Sequence, residues 1–162
     1  MGRIILIVIL VALQYFFGAP DWLLPDGAPY MVRALSYSFF HGNWWHLAVN
    51  SIAIITIYRT CKPGRDLVIP FIIAVIVYPL SLRPVIGISN ILYATLGMRT
   101  PSLSSKWWKQ PTVIVFLVIT VAMVFIPRFS ATTHIAAFLL GMGGAWAGRR
   151  LKDFFRDASR YL

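Results

Sequence analysis

The apolar residues of this chain are gathered into six runs: Ile4–Phe17, Trp44–Tyr58, Leu67–Leu82, Val85–Met98, Pro111–Ile126 and Ala131–Gly148. All lysines, arginines and aspartates lie outside them, and there is no glutamate. A chain surrounded by hydrocarbon must satisfy its own backbone hydrogen bonds, so such runs are read as membrane helices. The composition agrees, because 59% hydrophobic residues and a mean hydropathy of +0.74 are too apolar for a soluble domain of 162 residues. The length suits one domain. The expected fold is all-α, a bundle of six transmembrane helices over residues 1–150. Most runs fall short of the ~20 residues that span an average bilayer. The bilayer must then thin, the helices tilt little, or the fourth run hide behind its neighbours.

The formal net charge of +10 suggests nucleic acid only until it is mapped. Threading six helices from a cytoplasmic N-terminus puts Arg3, Arg59, Lys62, Arg65, Arg99, Lys106, Lys109, Arg149, Arg150, Lys152, Arg156 and Arg160 inside. Only Arg33, Arg83 and Arg128 fall outside, a split of twelve to three. This positive-inside bias predicts that both termini are cytoplasmic, in a multi-pass protein of the cell membrane, a bacterial or archaeal inner membrane. Inner-leaflet headgroups are the expected partners of the basic loops, with no nucleic acid. Arg3 followed by Ile4–Ala12 has the outline of a signal peptide, but Gly18-Ala19-Pro20 is a poor cleavage site, so the run is read as the first helix. One cysteine, Cys61, rules out an internal disulfide.

The segment Gly18–Asn43 carries Pro20, Pro25, Gly27 and Pro29 among Trp22, Tyr30, Met31, Phe39 and Phe40. It reads as an outer segment half sunk in the interface rather than one long helix. In the tail, residues 151–162, Leu151, Phe154, Phe155, Ala158 and Leu162 fall at helical spacing opposite Lys152, Asp153, Arg156, Asp157 and Arg160. That pattern predicts an amphipathic helix on the cytoplasmic surface.

The polar residues within the runs share one depth. Alternate membrane helices point the same way, so the starts of the second, fourth and sixth meet at one face. His46 and Asn50 lie near the first of these starts, Ser89 near the next and His134 near the last. Counted from Val85 and Ala131 at ~1.5 Å per residue, Ser89 sits roughly 6 Å and His134 roughly 5 Å into its helix. Polar groups at such depth are costly and usually functional. A serine beside a histidine suggests a nucleophile and its base. His46 and Asn50, four apart, share a helix face. Small residues make a stripe, His134, Ala137, Gly141, Ala145 and Gly148, facing Ala94 and Gly97 on the fourth helix. Close approach there would bring His134 to Ser89.

The motifs resemble the rhomboid family of intramembrane serine proteases. His41-Gly-Asn-Trp-Trp-His46-Leu-Ala-Val-Asn50 is similar to that family's second-helix motif. Gly87-Ile88-Ser89, continued by Tyr93 and Gly97, is similar to its active-site helix, and His134 through Gly141 to the helix of its base. The resemblance runs from about Met31 to Gly148. It implies Ser89 as nucleophile and His134 as general base, with His46, Asn50 and the Ser89 N–H stabilising the oxyanion and Tyr93 packing beneath the His134 ring. Gly87 and Gly141 would support the site. It implies no cofactor and no metal, and transmembrane proteins as substrates, cleaved near the outer face and admitted sideways beside the fifth helix.

The chain departs from the family pattern at three places. Asn90 stands for the glycine after the serine, Ala137 for the glycine after the histidine, and Val32-Arg33 for Trp-Arg. Asn90 is expected between the fourth and sixth helices or beside the oxyanion site, slowing an active enzyme. Two other classes compete: an inactive rhomboid-like protein that binds transmembrane segments, and a transporter. The transporter lacks the charged or broken-helix pair it would need at the midplane. An aspartyl protease would need membrane aspartates, and a zinc protease the H-E-x-x-H motif; the sequence has neither.

Overall fold

The computed structural model describes residues 1–21, 27–58, 65–81, 86–100, 114, 118 and 131–158. Six α-helices lie among them: α1 (Gly2–Phe17), α2 (Tyr30–Ser36), α3 (Trp44–Ile57), α4 (Arg65–Val77), α5 (Ser89–Arg99) and α6 (Ala131–Ala158). One-turn 3-10 segments at Tyr37–Phe39 and Tyr78–Leu80 extend α2 and α4. Apolar runs one, two, three, four and six thus become α1, α3, α4, α5 and α6. The fifth run, and with it the expected substrate gate, lies outside the described residues apart from Ile114 and Val118, as does the loop at 101–110 that is expected inside. α2 and its 3-10 turn occupy the outer segment, which is broken up as its prolines require.

Local sequence explains the boundaries. Gly18, with φ 60°, closes α1, and its N–H reaches Gln14 O. Asn43 caps α3, its side chain accepting the His46 N–H at 2.9 Å, which satisfies one of the donors orphaned at a helix start. The fourth run was expected to be helical from Val85, yet α5 begins only at Ser89. The cause is Gly87, whose φ of 123° is not a helical conformation. The depth count from Val85 therefore fails, and Ser89 is the first residue of its helix.

Among the described residues no helix is long and apolar enough to cross a membrane. The 16 residues of α1 reach about 24 Å, against the ~30 Å of a typical hydrocarbon core. The shortest main helix, α5, is also the most enclosed. Every residue from Ser89 to Gly97 is buried, with α3, α4, α6 and the Tyr37–Phe39 turn packed around it. Tyr58 Oη and Thr95 Oγ1 lie 2.8 Å apart between α3 and α5, and Arg99 donates to Ile57 O at 3.0 Å. α1 covers α3 through Leu10 and Gln14. The outward faces of α1, α3 and α4 carry Ile4, Val8, Phe16, Ile52, Ile55, Ile69 and Ile76, all exposed.

α5 makes its most extensive contact with α6, at two glycines. A Cβ on Gly97 would run into the Phe138 carbonyl, and one on Gly141 into the Ala94 carbonyl. Ala137 is fully buried with Tyr93 and Ala94, so the structure accommodates the methyl that stands for the family's glycine. Beyond Gly141 the small-residue stripe opens out among the described residues, none of which lies within 4 Å of a Cβ on Gly148. α6 runs on without a break to Ala158, with Leu151, Phe154 and Phe155 exposed.

This packing separates the glycines of α6 by role. Gly141→Ala and Gly97→Ala each force apart two backbones and should cost ~2–3 kcal/mol. Gly143→Ala, at a position with open space around it among the described residues, should be neutral or stabilise by up to ~1 kcal/mol through helix propensity. Thermal unfolding of the purified variants in detergent measures the contrast.

Candidate active site

Gly87 is the pivot around which the polar side chains gather. A Cβ on it would lie 2.6 Å from His46 Cε1, 2.9 Å from His46 Nε2 and 3.3 Å from Asn50 Nδ2. Glycine is therefore required twice over, by the backbone conformation and by the space that α3 leaves. The Gly87 N–H donates to Tyr37 O at 2.9 Å, which ties the turn leading into α5 to the 3-10 turn before α3. His46 and Asn50 consequently flank the chain two residues before Ser89, on the shared helix face their spacing predicts. Asn50 is buried, and its Nδ2 has no hydrogen-bond partner among the described residues. A buried amide donor costs free energy unless something accepts from it.

Ser89 opens α5 and His134 lies one turn into α6. Ser89 Oγ and His134 Nε2 are 2.8 Å apart, within the range required of a nucleophile and its base. In the neutral tautomer that carries its proton on Nδ1, Nε2 would accept the hydrogen bond from the Ser89 O–H. The Tyr93 ring packs on the His134 ring, centroids 4.7 Å apart. Ser89 and His134 are 6% and 4% exposed, so charge developing between them is screened little by water. The described residues contain no group of three His, Cys, Asp or Glu side chains that could hold a metal.

Two residues take places the sequence did not foresee. The Asn90 amide Nδ2 donates to Tyr37 Oη at 2.9 Å. It was expected between the two close helices or beside the oxyanion site, and its amide group is engaged with the outer segment instead. Tyr37 itself carried no sequence signal, being one aromatic among many in an interfacial segment. His41 is fully buried, its ring edge-on to His46 with centroids 5.2 Å apart. Both of its ring nitrogens lack hydrogen-bond partners among the described residues. It thus buttresses the His46 ring from within the loop before α3.

The comparisons bear on the whole arrangement. A family model described as the Rhomboid domain matches residues 28–151, well over half of the chain, and the match includes Tyr37, His41, His46, Asn50, Gly87, Ser89, Asn90, Tyr93 and His134. No curated protein matches the sequence.

His41 yields a pH test. Burial, and secondly the neighbouring His46, lowers its pKa from 6.5 to about 3. A histidine held neutral in the fold but basic when unfolded favours unfolding once protons are abundant. Its contribution is unchanged above pH ~6.5 and is lost as pH falls from there toward 3. Stability of the native protein should drop by up to ~1.4 kcal/mol per pH unit more than that of His41→Leu across this window. Denaturant titrations of both proteins from pH 7 to 4 measure the difference.

Proposed function

Because this chain belongs to the rhomboid family, we propose that it is an intramembrane serine endopeptidase that cleaves membrane-anchored proteins near the outer face of the bilayer. The family consists of membrane proteins, and it includes proteases and inactive relatives. The observation that favours the protease is the 2.8 Å approach of His134 Nε2 to Ser89 Oγ. A protein that only bound transmembrane segments would have no need of it.

In this reading Ser89 Oγ attacks the scissile carbonyl carbon while its proton passes to His134 Nε2. The carbonyl π electrons move onto oxygen, giving a tetrahedral oxyanion. The donors suited to that oxyanion are the Ser89 N–H, His46 and Asn50. As the first residue of α5, Ser89 has no intrahelical acceptor for its N–H, which points from the positive end of the helix dipole. Collapse breaks the C–N bond, and His134 returns the proton to the leaving amine. Water then attacks the acyl-enzyme, with His134 again as base. Preorganised donors in a dry site contribute most to such catalysis.

The membrane setting is supported by the family and by the exposed apolar faces of α1, α3 and α4, which suit lipid better than water. The charge split orients the chain with both termini in the cytoplasm and Ser89 toward the outside. Anionic headgroups fit the basic face of the α6 tail, where Arg149, Arg150, Lys152 and Arg156 outnumber Asp153 and Asp157.

Ser89→Ala and His134→Ala should each abolish cleavage of a generic transmembrane substrate by purified protein in liposomes, with melting little changed. Ser89 should also be the site of fluorophosphonate labelling. Cleavage by Ser89→Ala at the native rate would end the protease reading, and absence of both cleavage and labelling in the native protein would favour the inactive relative. Asn50→Ala should reduce kcat about 10²–10³-fold with little change in KM, as expected for loss of an oxyanion donor worth ~3 kcal/mol.

A further inference from the structure

Ser89 has hydrogen-bonded neighbours on both sides of it in the chain, and both lead to Tyr37. The Tyr37 carbonyl accepts from the Gly87 N–H at 2.9 Å, and the Tyr37 hydroxyl accepts from Asn90 Nδ2 at 2.9 Å. The hydroxyl in turn donates to Ala74 O at 2.8 Å. Ala74 lies in the last turn of α4, and its carbonyl has a second lone pair for the phenol. A phenol has one proton. With that proton given to Ala74 the oxygen can only accept, which fixes the Asn90 side chain with its NH2 toward Tyr37.

We propose that Tyr37 is a positioning residue for the nucleophile: its two oxygen atoms hold Gly87 and Asn90, and thereby set the place of Ser89 Oγ against His134. The inference rests on the protease reading for its kinetic consequences. Asn90 then completes the clamp and does not obstruct the site. Asn90 is fully buried, and its Oδ1 has no partner among the described residues, so the bond to Tyr37 is what offsets the burial of the amide. Tyr37 is suited to the task. It is fully buried, and its ring packs on Tyr78 with centroids 4.8 Å apart, which fixes the phenol through α4's extension. Burial raises its pKa above the usual phenol value, so the hydroxyl keeps its proton throughout the working pH range. The clamp links three separate parts of the fold, the outer segment, α4 and the start of α5, at a point where a shift of ~1 Å in the nucleophile can cost ~10² in rate.

Tyr37→Phe removes the hydroxyl but keeps the ring packing and the bond from Gly87, and Asn90→Ala removes the other partner. The test measures kcat and KM of the native protein, both single variants and the double variant in liposomes. It also measures their melting and the 15N resonance of His134 Nε2, which reports the bond to Ser89 whether or not the protein cleaves anything. Each single variant should lose about tenfold in kcat at unchanged KM and shift the resonance. The double variant should be no slower than either single. Native kcat and an unmoved resonance in both singles would overturn the clamp, as would a loss confined to melting temperature. Should the native protein neither cleave nor react with fluorophosphonate, the protease reading fails on its own. The resonance then decides the clamp alone, a shift supporting it and no shift overturning it.

Discussion

Backbone contact between α5 and α6 is the constraint on which the rest of the structure depends. Gly97 meets the Phe138 carbonyl and Gly141 the Ala94 carbonyl, a reciprocal pair that leaves no room for a side chain at those two points. Such an interface cannot slide without driving a Cα into a carbonyl, so it fixes axial register as well as separation. Register is what the proposed chemistry needs. Ser89 lies eight residues before Gly97 and His134 seven before Gly141, placing them roughly 12 Å and 10 Å from the crossing at ~1.5 Å per residue. Two parallel helices locked at that crossing carry the two side chains to one level, and the 2.8 Å approach is the result.

The polar and apolar residues are arranged in reverse of a soluble domain. Ile4, Val8, Ile52, Ile55, Ile69 and Ile76 of α1, α3 and α4 face outward, while Ser38, His41, Asn50, Ser89, Asn90 and His134 are buried. Each of these buried groups carries a desolvation cost, and for Ser89, Asn90 and His134 the fold offsets it locally. The Asn90 amide finds Tyr37, the Tyr37 hydroxyl finds the end of α4, and Ser89 finds His134. Ser38 Oγ, both His41 ring nitrogens and Asn50 Nδ2 have no hydrogen-bond partner among the described residues; of these, Asn50 Nδ2 lies beside Gly87, two residues before Ser89, where the proposed reaction develops negative charge.

Much of this was legible in the sequence, because the signals were compositional or periodic. Charge-free runs gave the helices, and the stripe at His134, Ala137 and Gly141 gave the α5–α6 approach. What escaped was tertiary. The stripe was extended to Gly148 because spacing alone does not show where two helices diverge. Asn90 was assigned to the wrong neighbourhood because a residue after the nucleophile has two helix faces to choose between, and the choice depends on an acceptor supplied by a distant turn. Tyr37 went unnoticed because a tyrosine that anchors an interface and one that clamps a backbone look alike in one dimension. The fifth run, outside the described residues, leaves its reading where the sequence put it.

The start of α5 shows why one of these differences matters most. Had the helix begun at Val85, the Ser89 N–H would have been bonded to the Val85 carbonyl one turn back, as in any helix interior. It would then have nothing to offer a developing oxyanion. The positive φ of Gly87 keeps the preceding residues out of the helix, and the Tyr37 carbonyl takes up the Gly87 N–H. Ser89 becomes the first helical residue, its N–H free of any intrahelical acceptor and at the positive end of the dipole. The same glycine, having no Cβ, lets His46 and Asn50 close in from α3. A single residue thus settles where the helix starts and how near the second pair of donors can come, and its substitution by alanine would undo both at once.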